Sequence, residues 1–373
     1  MKILIVNLDK GIFEPNSASL ERLKEYTGFC DKLSVIVLTR KHFKPIIFGK
    51  LGIFATASNS RLTYTRDALK LVREIIKKEK HDLVITQDPA DTGHIGWLIK
   101  RKYKLPWQCQ IHGDLFSSYY WKESFSNKIR VLVSKFLLPQ ADGIRVVSER
   151  IKKSLSKIKL NCNPVILPIF IDVEKFKSAE LKINLKQKYP QFGSIILMAS
   201  RISQEKNIDL AIKSMTYIIK NNPKTGLIIV GEGKEKNNLK DLVRNFNLYS
   251  NIIFEPWSSD LASYYKTSDI FLLTSNYEGW GMTVIEAAAC GCPIIMTDVG
   301  CAGEFIKNKE NGLIIKVDDR KSLVEAIKKF LNNKDLAKKL GEKAKQSVNT
   351  LPNHEKYLEF YKKSLADIIN RIS

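Results

Sequence analysis

Residues 270–293 read IFLLTSNYEGWGMTVIEAAACGCP, and this stretch decides the fold of the chain. An uninterrupted apolar run over Ile270–Thr274 is typical of a parallel β-strand that is covered on both faces. A loop with Gly279 and Gly281 follows, and the Ala-rich run Met282–Cys290 predicts a helix that ends at Gly291. A strand that passes through a glycine loop into a helix is the repeating unit of doubly wound α/β folds.

The same alternation of strand and helix occurs in two successive series along the chain. The first series predicts strands at Lys2–Asn7, Leu33–Leu38, Asp82–Thr86, Trp107–His112, Gly143–Val147 and Pro164–Leu167. The second series predicts strands at Ser194–Ser200, Gly226–Gly231, Asn251–Phe254, Ile270–Thr274, Cys292–Thr297 and Gly312–Val317. Two such series predict an α/β chain of two facing Rossmann-like domains with a cleft between them.

The domain boundaries follow from composition. The polar stretch Ile171–Phe192 separates the two series, so the domains are predicted at residues 1–170 and 171–350. Pro352-Asn353 then precedes an amphipathic run, and we expect residues 351–373 to form a helix that packs back across both domains.

Composition also limits the class of protein. The 373 residues suffice for two hydrophobic cores, and no apolar run is long enough to span a bilayer. The apolar start Met1–Asn7 is too short for a signal peptide and has no small-residue cleavage site, so it is predicted as a buried strand. The six cysteines have no C-x-x-C spacing, which argues against a zinc site and a disulfide framework and favours the cytoplasm.

The net charge of +22 is unusual, and residues 1–170 hold 30 Lys and Arg against 15 Asp and Glu. Such an excess favours anionic partners: a phosphate-bearing substrate, an acidic membrane surface or nucleic acid. A second explanation, a general bias of the sequence towards Lys, Asn and Ile, is equally open at this point.

The loop Gly279-Trp280-Gly281-Met282-Thr283 predicts an anion site. Main-chain amides at the start of a helix have no partner within the helix, and small residues let a diphosphate approach them closely. Carboxylates in such a place suit hydroxyl groups: Glu286 suits a ribose diol, and Glu278 suits a sugar ring. Glu286 alone could merely complement the helix dipole, but the whole strand–loop–helix arrangement favours a ligand.

A second segment, Ser200-Arg201-Ile202-Ser203-Gln204-Glu205-Lys206, also lies between a predicted strand and a helix. Open α/β sheets bind ligands at this end of their strands. Arg201 can bind a diphosphate with both arms of its guanidinium, and Lys206 adds a point charge. Glu205 is the expected partner of both cations.

Together these segments resemble the retaining glycosyltransferases of family 4, which have the GT-B architecture of two Rossmann-like domains. Glu278 and Glu286 match the Glu-x7-Glu motif of that family, and Arg201 with Lys206 matches its basic pair on the donor pyrophosphate. The run Val230-Gly231-Glu232-Gly233 matches a further family pattern. The resemblance is close in the second half of the chain and loose in the first.

The resemblance implies roles for further residues. Glu278 would face the donor sugar, Glu286 the ribose, and the loop with Trp257 the nucleobase, although Trp257 by itself suits the core equally well. His112, after a predicted strand, resembles the family's histidine near the donor sugar, and Asp114 would orient it or contact the acceptor. In many members of the family, main-chain amides of a Gly-Gly loop after the first strand meet the donor phosphate and the acceptor. Here that loop is replaced by Asn7–Phe13, where Gly11 is the remaining candidate for this role.

Two stretches bear on the acceptor. Arg40–Phe54 mixes basic and bulky apolar residues, and Leu115–Lys122 is rich in aromatic residues. Exposed on the surface, they would suit an anionic membrane and a lipid-linked acceptor; the alternative is that they fill a core or a polar sugar cleft.

The sequence therefore predicts a retaining hexosyltransferase that uses a UDP- or GDP-sugar and a glycan or lipid-linked acceptor, in cell-envelope polysaccharide synthesis. No Asp-x-Asp pair is present, so we expect neither a metal nor any other cofactor, with the diphosphate held by cations and amides. The expected location is the cytoplasm, at the inner face of the cell membrane. The rivals are another GT-B enzyme, either a nucleotide-sugar epimerase or a sugar phosphorylase, and a nucleic-acid-binding protein, which no motif supports.

Overall fold

The computed structural model describes residues 1–372 and divides into two compact units. The first unit contains Met1–Pro168 together with the chain after His354, and the second contains Ile169–His354.

The first unit is an α/β unit built on one sheet. Its strands are β1 (Lys2–Asn7), β2 (Lys32–Val37), β3 (Ile46–Phe48), β4 (Leu51–Ala55), β5 (Leu83–Thr86), β6 (Trp107–Ile111), β7 (Gly143–Val146) and β8 (Val165–Ile166). Its helices before residue 169 are α1 (Ala18–Tyr26), α2 (Tyr64–Lys78), α3 (Gly93–Tyr103), α4 (Ser118–Glu123), α5 (Phe125–Leu137) and α6 (Glu149–Ser154).

The strands of this sheet run in the order β3-β4-β2-β1-β5-β6-β7-β8, and all pairs are parallel except β3 with β4. The chain moves outward from β1 to β2 and later returns to the other side of β1 with β5, so the winding reverses between β1 and β5. Apolar side chains of β1 are buried on both faces, which confirms the prediction of a covered parallel strand.

The hairpin β3–β4 is not among the strands predicted from sequence. The hairpin lies within the stretch Arg40–Phe54, for which the sequence allowed either an exposed surface or a place in the core. The structure shows both, in different parts of the stretch. Leu51 and Ile53 are buried in the sheet, whereas Ile47 and Phe48 at the edge are exposed by 64% and 58%.

The second unit has six strands, all in parallel pairs, in the order β11-β10-β9-β12-β13-β14. They are β9 (Ser194–Ala199), β10 (Thr225–Val230), β11 (Ile252–Glu255), β12 (Ile270–Leu273), β13 (Ile294–Thr297) and β14 (Leu313–Ile315). The helices are α7 (Val173–Ser178), α8 (Leu185–Lys188), α9 (Ile208–Ile218), α10 (Lys236–Asn245), α11 (Leu261–Thr267), α12 (Met282–Ala289), α13 (Arg320–Asn332) and α14 (Lys334–Ser347).

The prediction of two Rossmann-like α/β domains is confirmed. All twelve predicted strands are present within two residues at each end, and in the second unit the winding reverses between β9 and β12. The stretch Ile171–Phe192 is more ordered than its polar composition indicates, since it holds the short helices α7 and α8, and Leu185 is fully buried.

The last helix, α15 (His354–Ile372), belongs to the first unit, although its sequence follows the second. It lies so close to β7 that a Cβ atom on Gly143 would be 2.1 Å from Cδ1 of Ile368. The amide of Gln110 on β6 also donates a hydrogen bond of 2.9 Å to the Tyr361 hydroxyl.

A buried guanidinium joins this helix to the end of the first series of strands. Arg145 on β7 donates to the carbonyl oxygens of Leu167 and Pro168 at 3.1 and 3.2 Å and to the Tyr357 hydroxyl at 2.9 Å. Its charge is surrounded by neutral acceptors and aromatic rings, with the Tyr361 ring centroid 5.0 Å away. Arg145 thus ties the segment after β8 to the last helix, within the first unit.

We predict that Arg145→Leu destabilises the protein by about 3 kcal/mol, because buried acceptors lose their donor. The measurement is the free energy of unfolding in urea. The matched control is Arg66→Leu, since the Arg66 side chain is 73% exposed and pairs only with Asp67, which is adjacent in sequence. Its expected effect is below about 0.5 kcal/mol, and an equal loss in both variants would contradict the assignment of Arg145.

Candidate functional site

Two loops are tied together where the winding of the second unit reverses. The loop after β9 carries Lys206, and the loop after β12 carries Glu278. The Thr274 hydroxyl at the end of β12 lies 2.9 Å from the carbonyl oxygens of both Lys206 and Asn207. The amide of Asn276 donates to the Glu205 carbonyl at 2.8 Å, so the two loops keep a defined relative position.

The entrance to α12 presents a row of unpaired main-chain donors. Gly281 caps this helix with a φ of +89°, in the left-handed region that favours glycine. The amides of Gly279, Trp280, Gly281, Met282 and Thr283 donate to no acceptor among residues 1–372. Such a row at a helix N-terminus is suited to an anion with several oxygen atoms, as the sequence predicts.

Trp280 serves this loop through its main chain. Its side chain is buried, since the residue is only 5% exposed, so the indole is not a contact for a ligand. Its carbonyl oxygen accepts a hydrogen bond of 2.9 Å from the Cys301 amide, which fixes the far side of the loop.

Glu278 and Lys206 form an ion pair, which differs from the expectation that Glu205 would be the lysine's partner. The Lys206 ammonium is 2.5 Å from Glu278 Oε1, and the Ser275 hydroxyl donates to the same oxygen at 2.8 Å. Because the partner lies 72 residues away, local spacing could not identify it. The pair explains how a carboxylate is tolerated beside an anion site.

The Arg201 side chain has few contacts within the protein. It is 81% exposed, and its single ion pair is a contact of 3.3 Å with Glu205, as expected from the sequence. Glu205 is better held by the Ser203 hydroxyl at 2.7 Å. Arg201 can therefore turn towards a ligand at small cost.

Glu286 is half-buried inside α12, one turn beyond the free amides. The Tyr265 hydroxyl of α11 donates to Glu286 Oε2 at 2.9 Å. Burial raises the pKa of Glu286, and the hydrogen bond from Tyr265 partly offsets this shift. Sequence reasoning missed Tyr265 because it lies on a different helix, 21 positions before Glu286 in the sequence.

Trp257 follows β11, and the structure decides between its two interpretations. Its side chain is 57% exposed, which excludes the core interpretation and leaves the indole face open to a planar ligand. Glu255 anchors this loop, since it accepts hydrogen bonds from Lys188 at 2.7 Å, from Tyr264 at 2.5 Å and from Tyr189.

In the first unit, His112 directly follows β6 and is oriented by Gln87. His112 Nε2 lies 2.8 Å from Gln87 Oε1, so Nε2 carries the proton. Nδ1 is buried and has no partner among residues 1–372. Burial lowers the pKa of His112 to about 3, and the cations Arg145 and Arg22 act in the same direction, so the ring is neutral near pH 7.

Asp114 does not orient His112 by a hydrogen bond, which corrects one of the roles expected for it. Its Oδ1 atom is buried without a partner among the described residues, and burial raises the pKa of its carboxyl group. Gln87 has the orienting position instead. The sequence feature that could have identified Gln87 is its position directly after β5, next to the point where the winding of the sheet reverses.

The main-chain amide of Gly11 is not free, in contrast to the role expected for it from the family resemblance. It lies in a single 3-10 turn over Lys10–Phe13, and its amide donates to Asp9 Oδ1 at 2.9 Å. Its hydrogen-bonding capacity is therefore used within the protein.

Two family models match the chain. The model described as "Glycosyl transferases group 1" matches residues 182–347, and the model described as "Glycosyltransferase Family 4" matches residues 31–175. The first match covers the loops after β9 and β12, and the second covers Gln87 and His112.

Characterised relatives are similar over most of their length. The chain is 29% identical over 302 residues to the alpha-monoglucosyldiacylglycerol synthase of Streptococcus pneumoniae, covering 77% of this chain and 68% of that protein. It is 26% identical over 307 residues to the UDP-Gal:alpha-D-GlcNAc-diphosphoundecaprenol alpha-1,3-galactosyltransferase of Escherichia coli, covering 77% of each.

Solved structures share the fold. Sucrose-phosphate synthase from Thermosynechococcus elongatus superposes with a TM-score of 0.84 at 19% identity, over 98% of this chain and 100% of that one. The Anabaena HepE protein, solved in complex with UDP-glucose, superposes with a TM-score of 0.77 at 16% identity and the same coverage. At these identities the likeness establishes the fold alone.

We predict a pH dependence of stability that originates from His112. Because its folded pKa of about 3 lies below the ordinary value of 6.5, the unfolded chain binds a proton that the folded chain excludes between these values. The histidine therefore lowers stability as the pH falls from about 6.5. Between pH 7 and pH 5 the free energy of unfolding should fall about 2 kcal/mol more in the wild type than in His112→Gln. Parallel curves would contradict a neutral buried ring.

Proposed function

Because this chain belongs to glycosyltransferase family 4, we propose that it transfers a sugar from a UDP- or GDP-sugar to an acceptor hydroxyl with retention of configuration. The bond from the anomeric carbon to the diphosphate oxygen breaks, and a bond from that carbon to the acceptor oxygen forms. The five free amides at the entrance to α12 carry this proposal, since they suit the diphosphate on which negative charge develops.

The side chains around the amides support the same assignment. Arg201 and Lys206 reach the anion from the loop after β9, and they replace the positive charge that a metal would otherwise supply. Lys206 already neutralises Glu278, so a bound diphosphate would share this cation and leave Glu278 free to accept from a sugar hydroxyl.

The nucleoside has two further contacts in this proposal. Glu286 is held by Tyr265 through one oxygen, and its other oxygen has no partner within residues 1–372, so it can accept from a ribose hydroxyl. The exposed face of Trp257 stacks on the base. The name of the Escherichia coli relative specifies UDP-Gal, and HepE was solved with UDP-glucose, which favours the uridine donor.

We propose a lipid-linked saccharide or a glycolipid as the acceptor. The names of the two relatives describe a diacylglycerol glycolipid and a diphosphoundecaprenol-linked sugar. No helix formed by residues 1–372 has both the length and the apolar character to cross a bilayer. A lipid-linked acceptor calls for a peripheral contact with the inner face of the cell membrane. Neutral His112 would lie near the donor sugar, as the family pattern implies.

The first test is nucleotide binding by titration calorimetry with UDP and GDP. Arg201→Ala and Glu286→Ala should each weaken UDP binding about tenfold or more, because the first removes a hydrogen bond to a charged group and the second removes the acceptor for a ribose hydroxyl. Arg244→Ala is the matched control, since it removes an exposed guanidinium paired with Asp241 in the same unit. If both site variants bind UDP as tightly as the control, the proposed site is wrong. Epimerised sugar from the donor alone would favour the rival enzyme class.

The second test concerns the metal. With Arg201, Lys206 and the amides supplying the positive charge, activity with a nucleotide sugar should be retained in excess EDTA. The measurement is product formation with and without the chelator, with an Asp-x-Asp type glycosyltransferase as the sensitive control. A loss that Mg²⁺ or Mn²⁺ restores would contradict metal-independent transfer.

A further inference from the structure

Helix α5 has a buried face and, on the opposite side, a row of apolar side chains that is open to solvent. Asn127, Val131, Ser134 and Leu137 are buried. On the other side, Phe125, Ile129, Leu132 and Phe136 are exposed by 76%, 48%, 57% and 62%. Their spacing of four, three and four residues places them in one row along the helix. Leaving four large apolar side chains in water is costly unless another phase or molecule covers them.

The surroundings of this row are strongly basic. Helix α5 and its neighbour α3, whose Trp97 ring is 6.0 Å from Phe136, contain six Lys and Arg and no Asp or Glu. Lys100 and Arg130 are paired with carboxylates. The other four cations, Arg101, Lys102, Lys128 and Lys135, form no ion pair within residues 1–372.

We propose that this face, which we name the α5 face (Phe125, Ile129, Leu132 and Phe136 with Lys128 and Lys135), binds an anionic lipid surface. The inference rests on the proposed function in that a lipid-linked acceptor requires contact with a membrane. A short helix with bulky apolar residues on one side and lysines beside them lies in the plane of the interface, with the apolar groups among the acyl chains and the cations at the head groups.

Charge favours lipid over a second copy of this chain. The first 170 residues carry twice as many basic as acidic side chains, and the α5 face has no carboxylate of its own to meet the lysines of a partner. Two copies joined through this face would bring like charges together, whereas an anionic bilayer complements them.

The α5 face also refines the surfaces expected from sequence. The stretch Leu115–Lys122 leads into it, since α4 ends directly before α5 and the Lys128 ammonium lies 6.0 Å from the centroid of the Trp121 ring. The exposed row on α5 is not among the surfaces expected from sequence, because its spacing resembles that of an ordinary core-facing stripe.

The test is co-sedimentation of the full chain with vesicles of phosphatidylcholine, with and without phosphatidylglycerol. We expect the chain to bind the anionic vesicles. Its affinity for neutral vesicles, or for anionic vesicles in high salt, should be lower by about tenfold or more. Phe125→Ser combined with Leu132→Ser should reduce binding to anionic vesicles about tenfold or more, because both side chains leave the acyl region. Thermal stability and UDP affinity should stay unchanged, since both residues are exposed and outside the candidate site.

The matched control is Phe246→Ser combined with Tyr249→Ser, which removes a similar exposed apolar area from the second unit. An equal loss in the control, or wild-type binding in the α5 variant, would overturn the proposal. So would a dimer in sedimentation velocity that the α5 variant converts to monomer while vesicle binding is absent. Vesicle binding without binding of either UDP or GDP would refute the proposed function and leave the α5 face intact, so the two failures are distinguishable.

Discussion

The parallel pairing of β9 with β12 is the constraint on which the candidate site depends. Parallel neighbours bring their carboxyl ends to the same edge, and the reversal of winding between them leaves that edge uncovered by a crossover helix. The Thr274 hydroxyl then lies between the carbonyl oxygens of Lys206 and Asn207 in the neighbouring loop and shares its one proton with them. Lys206 and Glu278 meet for this reason, although they are 72 residues apart in sequence, and Arg201 lies on the same loop as Lys206.

Electrostatic balance explains why the site holds carboxylates and still suits an anion. Glu278 has a lysine partner, and Glu286 has a tyrosine hydroxyl, so neither leaves an uncompensated charge beside the amides. The amides themselves have no partner, and they are the groups that a diphosphate would satisfy. Donor binding would therefore complete a hydrogen-bonding arrangement that the folded chain leaves open.

In the first unit the buried charge is positive, and it is stabilised by neutral groups. Arg145 is satisfied by carbonyl oxygens, a glutamine and tyrosine rings, and the same charge helps to keep His112 neutral. The unit's surplus of lysines stays at the surface, where the α5 face combines it with exposed apolar side chains. In the proposed function, one unit would contact the diphosphate, and the other would supply a neutral histidine and a surface for lipid.

The sequence by itself determined the twelve predicted strands, the two Rossmann-like units and the family, because buried parallel strands are continuous apolar runs and the motif residues lie at fixed spacing beside them. It missed the β3–β4 hairpin, because both strands are short and β3 is largely exposed at the edge of the sheet. Only the tertiary structure decided that Lys206 pairs with Glu278, that Gln87 orients His112, that Tyr265 holds Glu286 and that Trp257 is exposed. Each of these depends on packing between residues 21 or more positions apart or on which side of an element faces water, and spacing along the chain carries no record of either.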